Sequence, residues 1–374
     1  MTTSTPTRRT ALAGLAGLAA AAGTLTGGLA SAAAAQPRDE VSAALDALVA
    51  RGFPGALASL RDADGTVRNY VAGERVPVDG EVRIGSNTKT FTAVALLQLV
   101  GEGRLDLDAA VEEHLPNLLR GEGIDGRGIS VRQVLQHTSG LPNYTAQWAT
   151  DPAEFRYRYA DPRDLLDTAL AMPAEFAPGE RWSYSNTNYT VAGLLLQAVT
   201  GRPWSEQVHR RVVEPLGLQH TYVPAVGELG YRGEHPEGYL VDADGNRTEF
   251  TEFDPSTAWA AGAVIASPSD LNRFTVALLR GGLLDAALLR EMRTTVPADD
   301  VPGAGYGLGL MSFPLPGGGQ GWGHGGDIFG CETRGWATDD GRAVTVAVTS
   351  LPVDQAGADA VMEAVATIFA RTRP

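Results

Sequence analysis

The sequence predicts an α+β protein: one antiparallel sheet formed by both chain ends and flanked by helices, with a mainly helical lobe inserted between them. Three observations carry this. Segments with strand character stand near both ends, at residues 56–60 and 67–71 and again beyond Pro302. The stretch from Val131 to about Arg293 alternates helical patterns with long loops. A helix opening near Ser86 carries Phe91, Val94, Leu96, Leu97, Leu99 and Val100 and is apolar on nearly all sides. Such a helix belongs in the middle of a protein. A cleft is expected where the helical lobe meets the sheet.

Taken in order, residues 41–49 show helical periodicity. Residues 56–60 and 67–71 read as strands around the Asp64-Gly65 turn. Val82-Arg83-Ile84 is a short extended piece leading into the Ser86 helix, which Gly101 and Gly103 stop. Further helices are predicted over 131–137, 162–171, 190–200, 204–213, 268–279 and 283–292, and residues 221–259 read as loop. Strands follow at 305–311, 319–325, 332–338 and 343–350, with Asp340-Gly341 as a hairpin turn. An amphipathic helix over 354–371 closes the chain.

The N-terminus reads as an export signal over residues 1–35. Arg8-Arg9 precedes a mild apolar run, and Ala30-Ser31-Ala32 and Ala33-Ala34-Ala35 offer small-residue cleavage sites. Paired arginines before a weakly hydrophobic stretch fit twin-arginine export. The run is too short and glycine-rich to span a membrane. The mature protein is therefore expected to be secreted and free of membrane. The net charge of −14 opposes binding to nucleic acid or to an anionic surface. A single cysteine, Cys331, rules out an internal disulfide.

Among 30 basic residues, the only lysine is Lys89, three positions after Ser86 in Gly85-Ser86-Asn87-Thr88-Lys89. Arginine keeps its proton in a protein, whereas a desolvated lysine can lose it. Positions i and i+3 share a helix face, so the hydroxyl and the amine can meet. Ser86 at a helix start has backbone N–H groups beside it, which favour a developing oxyanion and disfavour a protonated Lys89. Lys89 could then act as general base toward Ser86.

A second element, Tyr184-Ser185-Asn186, lies in a polar loop before the helix predicted at Thr190. A phenol can relay a proton and an amide can hold a substrate carbonyl; residues of this kind also collect as helix caps. The third element, His324-Gly325-Gly326, lies in a glycine-dense run that otherwise reads as strand, where a substrate could pair along an edge. Ser86 lacks a Gly-x-Ser-x-Gly elbow, and the six histidines form no zinc-ligand spacing.

Ser86-x-x-Lys89, Tyr184-x-Asn186 and His324-x-Gly326, in that order, resemble the three motifs of the serine β-lactamase and penicillin-binding protein superfamily. The sequence looks closest to secreted D-alanyl-D-alanine carboxypeptidases, with class C β-lactamases and related esterases nearby. His137-Thr138-Ser139-Gly140-Leu141 and Tyr306-Gly307-Leu308-Gly309-Leu310 support the likeness, which covers nearly all of the chain after the signal.

The resemblance implies a catalytic domain over 36–374, with 36–85 and 300–374 as the α/β lobe and 86–299 as the helical lobe. It implies an acyl-serine at Ser86, with Lys89 and Tyr184 moving protons and Asn186, His324, Gly326, Asp327 and Trp259 binding substrate. Backbone N–H groups of Ser86 and Asp327 would form the oxyanion hole. No metal or organic cofactor is implied. The substrates implied are small peptides of peptidoglycan type and β-lactams. The same fold also hosts esterases, D-aminopeptidases, amidases and penicillin-binding sensors that do not turn over.

One departure concerns the leaving group. In the carboxypeptidases, threonines in and after the third motif and an arginine on the preceding strand grip a free carboxylate. Here Gly325 and Asp327 replace the threonines, and Met311-Ser312-Phe313 carries no arginine. Arg334, on the next strand, is the side chain long enough to reach the pocket.

Overall fold

A computed structural model describes residues 39–148, 152–298, 303–315 and 318–374. Residues 1–35, which the sequence leads one to expect as an export signal, lie outside these residues. The first elements are helix α1 (Glu40–Ala50) and strands β1 (Gly55–Arg61), β2 (Val67–Gly73) and β3 (Val82–Arg83). Helices α2 (Thr88–Gly101), α3 (Val131–Leu135), α4 (Pro162–Leu170), α5 (Asn186–Thr200), α6 (Trp204–Val208) and α7 (Trp259–Gly262) make up the inserted part. Strand β4 (Ile265–Ala266) and helices α8 (Pro268–Leu279) and α9 (Ala286–Met292) lead back. Strands β5 (Val296–Pro297), β6 (Gly305–Tyr306), β7 (Met311–Pro314), β8 (Gln320–Ile328), β9 (Cys331–Ala337) and β10 (Ala343–Val348) complete the main sheet, and helix α10 (Gln355–Phe369) ends the chain.

The main sheet has eight strands in the order β2-β1-β10-β9-β8-β7-β6-β5, with every neighbouring pair antiparallel. It is the both-ends sheet that the sequence predicts. β1 lies against β10 with Ala56 opposite Val348. The terminal helices α1 and α10 cover one face, burying Val41, Leu45, Val361, Val365 and Ile368 against Ala56, Val344 and Val346.

Helix α8 covers the other face, where its Asn272 donates to Ser59 O of β1 and accepts from Thr345 of β10. Helix α8 thus lies within 86–299, the stretch read as the helical lobe, yet it packs on the sheet as well as on the helices. Phe91 of α2 stacks on Phe274 of α8 with centroids 3.8 Å apart, so one core runs from the helical lobe into this layer.

Helix α2 is buried on all sides. Its polar residues each tie down a different segment. Asn87, just before it, donates to Thr333 of β9, Thr88 accepts from Val264 N, Thr90 donates to Gly309 O, and Thr92 donates to Ala260 O. A buried hydroxyl or amide without a partner costs about 1–3 kcal/mol, so these residues also fix where the neighbours sit.

Residues 221–259, read as loop, hold a short hairpin of Tyr239–Val241 with Arg247–Glu249, and two further elements differ from the sequence-based expectation. Helix α5 starts at Asn186, not Thr190, because its polar first turn has buried partners elsewhere. Thr187 donates to Pro142 O, and Asn188 accepts from Ser139. The strand expected over 305–311 is two short strands, β6 and β7, separated by the loop that Thr90 anchors at Gly309.

Candidate active site

Gly85–Asn87 forms a single 3-10 turn that runs straight into α2, which stands Ser86 at the start of that helix. Gly85 has φ +48°, a region where a side chain is strained. A Cβ there would meet Asp327 N at 2.9 Å. A Cβ on Gly326 would fall 1.9 Å from Ile84 O and 2.7 Å from Thr333 Oγ1. The two glycines therefore let β8 lie directly on the Ser86 turn and bring the Asp327 N–H up to it. Gly326 itself meets protein atoms rather than the cleft, which corrects its assignment to substrate contact.

Strand β8 is an edge along only part of its length. Pairing with β7 ends at Met311 opposite Gly323, whereas pairing with β9 continues to Ile328 opposite Cys331. The segment from His324 onward is thus open on the side where Ser86 stands.

Lys89 is fully buried, with three oxygens around Nζ: Ser86 Oγ at 2.9 Å, Asn186 Oδ1 at 2.8 Å and Ala261 O at 2.7 Å. The amide and carbonyl oxygens only accept. Nζ donates to these two in either charge state; once uncharged, its lone pair faces the Ser86 hydroxyl and can accept from it. Burial drives its pKa well below the ordinary lysine range, and the Asp327 charge opposes this only in part. Lys89 at rest is placed to receive the Ser86 proton.

Tyr184 faces the same hydroxyl. Burial holds its pKa well above the ordinary phenol value, with the Ser86 hydrogen bond pulling the other way. Tyr184 therefore keeps its proton at neutral pH and sits as a donor where Lys89 sits as an acceptor. Asn186 is in the first turn of α5, and its backbone N–H is held by Asn143 Oδ1 at 3.2 Å. Ser185 is the N-cap residue, yet its hydroxyl makes no cap bond. The tripeptide is therefore not a capping cluster.

The cleft is lined by the polar Ser86, Asn143, Tyr184, Asn186 and His324, by the apolar Trp182, Met311, Phe313, Trp336 and Met362, and by Asp327 and Arg334. The last two belong to an ion cluster that sequence reasoning met only in part. Arg334 lies opposite Gly325 across the β8–β9 ladder. Its guanidinium meets Asp327 at 2.6 Å and Glu332 at 2.9 Å, and it donates to Thr333 O at 3.0 Å. Arg334 is nearly buried and Glu332 completely so. Burial raises the Glu332 pKa to about 7, with Arg334 opposing and Asp327 adding to the rise. An arginine does reach the pocket, and it is already held by two carboxyl groups.

Trp259 is absent from the cleft lining. Its ring packs over Gly193 of α5, where a Cβ would come within 2.6 Å, and lies 5.6 Å from the Trp204 ring. The missing side chain at Gly193 makes the slot that draws Trp259 away from substrate. Asn143, Trp182 and Met362 were not singled out from the sequence. Asn143 had a faint signal, two residues beyond His137-Thr138-Ser139-Gly140-Leu141, while a lone methionine in an amphipathic helix offers none.

A serine hydroxyl poised between a buried amine whose pKa burial lowers and a phenol that keeps its proton, under a strand end, defines a serine hydrolase. The chain belongs to the β-lactamase family, whose sequence model (Beta-lactamase) matches residues 41–367. A D-stereospecific amidohydrolase from Streptomyces sp. is 41 % identical with a TM-score of 0.81, over 87 % of this chain and 97 % of that one. D-Amino acid amidase from Ochrobactrum anthropi SV3 is 27 % identical with a TM-score of 0.77, over 88 % of this chain and 97 % of that one. Protein flp of Staphylococcus aureus (strain MW2) is 30 % identical over 196 residues, 51 % of this chain and 37 % of that protein. The match thus spans little more than a third of that relative.

Proposed function

We propose that the enzyme hydrolyses amides of D-amino acids through an acyl intermediate on Ser86. Ser86 Oγ attacks the amide carbonyl as Lys89 takes its proton. The Ser86 and Asp327 N–H groups hold the oxyanion. Tyr184 gives a proton to the departing nitrogen and is reprotonated from Lys89, which regains its free amine; water, giving a proton to that amine, then attacks the acyl-serine, and the proton returns to Ser86 Oγ as the D-amino acid leaves.

The observation that carries this reading is the state of Arg334. A C-terminal carboxylate needs a free cation, and this guanidinium is bound by Asp327 and Glu332. The same cleft is lined by the apolar Trp182, Met311, Phe313, Trp336 and Met362. The D-stereospecific amidohydrolase and D-amino acid amidase neighbours support the same choice. The carboxypeptidase expectation gives way to an uncharged leaving group, with D-Ala-D-Ala peptides and β-lactams as weaker substrates.

The test compares one D-aminoacyl group carrying an amide, an ester or a free D-alanine. The amide or ester is expected to match or exceed the free acid in kcat/KM. Asp327→Thr should release one of the two carboxyl partners of Arg334 and remove a negative charge from the cleft, raising activity on the free acid by about 1–2 kcal/mol, roughly tenfold. A parent enzyme that strongly prefers the free carboxylate, and loses this preference in Arg334→Ala, would restore the carboxypeptidase reading.

We propose also that residues 1–35 direct secretion. Exported protein should begin between Ala33 and Gln36, as N-terminal sequencing would read.

A further inference from the structure

Behind the cleft lies a buried chain of side chains that the proton path of Ser86, Lys89 and Tyr184 does not use. His137 follows α3, Tyr306 is in β6 and His324 is in β8. Tyr306 Oη is 3.1 Å from His137 Nε2 and 3.1 Å from His324 Nε2. His324 Nδ1 is 2.6 Å from Gly325 O. On the far side, His137 Nδ1 is 3.2 Å from Ser185 N and 3.2 Å from Asn188 Nδ2. Asn188 Oδ1 accepts from Ser139 Oγ at 2.6 Å.

The partners set the tautomers of both histidines. An amide N–H and an amide NH2 both donate to His137 Nδ1, so its proton is on Nε2 and goes to Tyr306. The Gly325 carbonyl only accepts, so the His324 proton is on Nδ1 and its Nε2 is bare. Tyr306 O–H is the donor facing that bare nitrogen. The neighbouring Tyr189 hydroxyl gives its own proton to Leu135 O at 3.0 Å.

We propose that Tyr306 is a positioning residue: together with His137 it holds His324 as an uncharged imidazole, and so ties the Tyr184–Asn186 segment to the strand that closes over Ser86. The link is continuous, from Ser185 N–H beside Tyr184, through both rings, to the Gly325 carbonyl. The groups facing His324 are Lys89, Arg334, Asp327, Tyr184, Tyr306 and His137. Burial is the main cause of a His324 pKa of about 3, with Lys89 and Arg334 acting the same way and the Gly325 bond opposing. A proton on His324 would place a cation beside Lys89 just as Lys89 takes the Ser86 proton. Donation from Tyr306 into Nε2 occupies the site where that proton would go.

The inference rests on the acyl-serine reading for its kinetic part. Tyr306→Phe keeps the ring and removes the donor. Its kcat on a D-amino-acid amide should fall on the order of 10–10²-fold from misplacement of Tyr184, with KM little changed. The acid limb of its kcat profile should move up by about one pH unit or more, because a freed Nε2 protonates more readily and adds its own titration to that of Lys89. His137→Asn, whose side chain suits the φ of +60° at this position, should do the same to a lesser degree.

Nitrogen NMR of histidine-labelled parent protein gives a readout independent of turnover and of variant folding. It should show His324 in the Nδ1–H form and uncharged down to about pH 5. A His324 that titrates near its ordinary value, or carries its proton on Nε2, overturns the proposal. So does Tyr306→Phe with a reduced kcat but an unmoved acid limb, the result of a merely structural role. Failure to acylate Ser86 in the parent would instead defeat the functional reading and leave the NMR test standing.

Discussion

Ser86→Ala abolishes turnover and covalent labelling by a fluorescent penicillin or an activated D-aminoacyl ester. The loss expected is on the order of 10⁴-fold or more, the scale seen when a nucleophile acting as part of a unit is removed. Lys89→Arg is nearly as damaging for a separate reason. A guanidinium stays protonated and cannot receive the Ser86 proton. It must also enter a fully buried site whose three oxygens are already spaced for one nitrogen. The pH profile carries the sign of the argument. Lys89 works as a free amine, so kcat/KM should be sustained through neutral pH and fall as pH drops through the depressed lysine pKa. An enzyme needing a protonated lysine would show the opposite slope. Lys89→Arg with activity close to the parent would end this account.

Tyr184→Phe retains the fold and loses on the order of 10²-fold or more in acylation or deacylation, the usual contribution of a general acid–base group. The ring stays packed between His137 and His324, with centroids 4.4 Å and 6.2 Å away, so only the hydroxyl is lost. Because the phenol is held protonated, its absence should weigh most on poor leaving groups. An amide, which needs a proton on nitrogen, should suffer more than an activated ester of the same D-amino acid. Equal losses on both would remove Tyr184 from leaving-group protonation. An unchanged Tyr184→Phe, with Asn186→Ala lowering only the melting temperature, would reduce the tripeptide to a structural element.

What could be read from the sequence follows the range of the interactions. Ser86 and Lys89 are one helical turn apart, so their meeting is local and legible. The sheet at both ends was legible because alternation and turn residues are also local. Arg334 was visible as a side chain of the right length, but its partners depend on the register that sets it opposite Gly325. Trp259 misled because its direction is decided by a slot at Gly193, on another helix. The start of α5 was hidden for a similar reason: Thr187 and Asn188 look like loop residues until Pro142 and Ser139 supply their partners. The break between β6 and β7 depends on Thr90 reaching Gly309, which no periodicity records.

The pairing of β1 with β10 also sets when the enzyme can exist. Ser86 and Lys89 are synthesised long before Gln320–Ile328, the strand that closes over them. Contacts between such distant segments carry a large loop-closure entropy and form late. An incomplete chain would therefore hold the nucleophile and its base without Asp327 beside them, and β1 without its inner neighbour. Chemical competence should arrive in one step with the last strands, so a nascent or truncated product has no partial hydrolase activity to release.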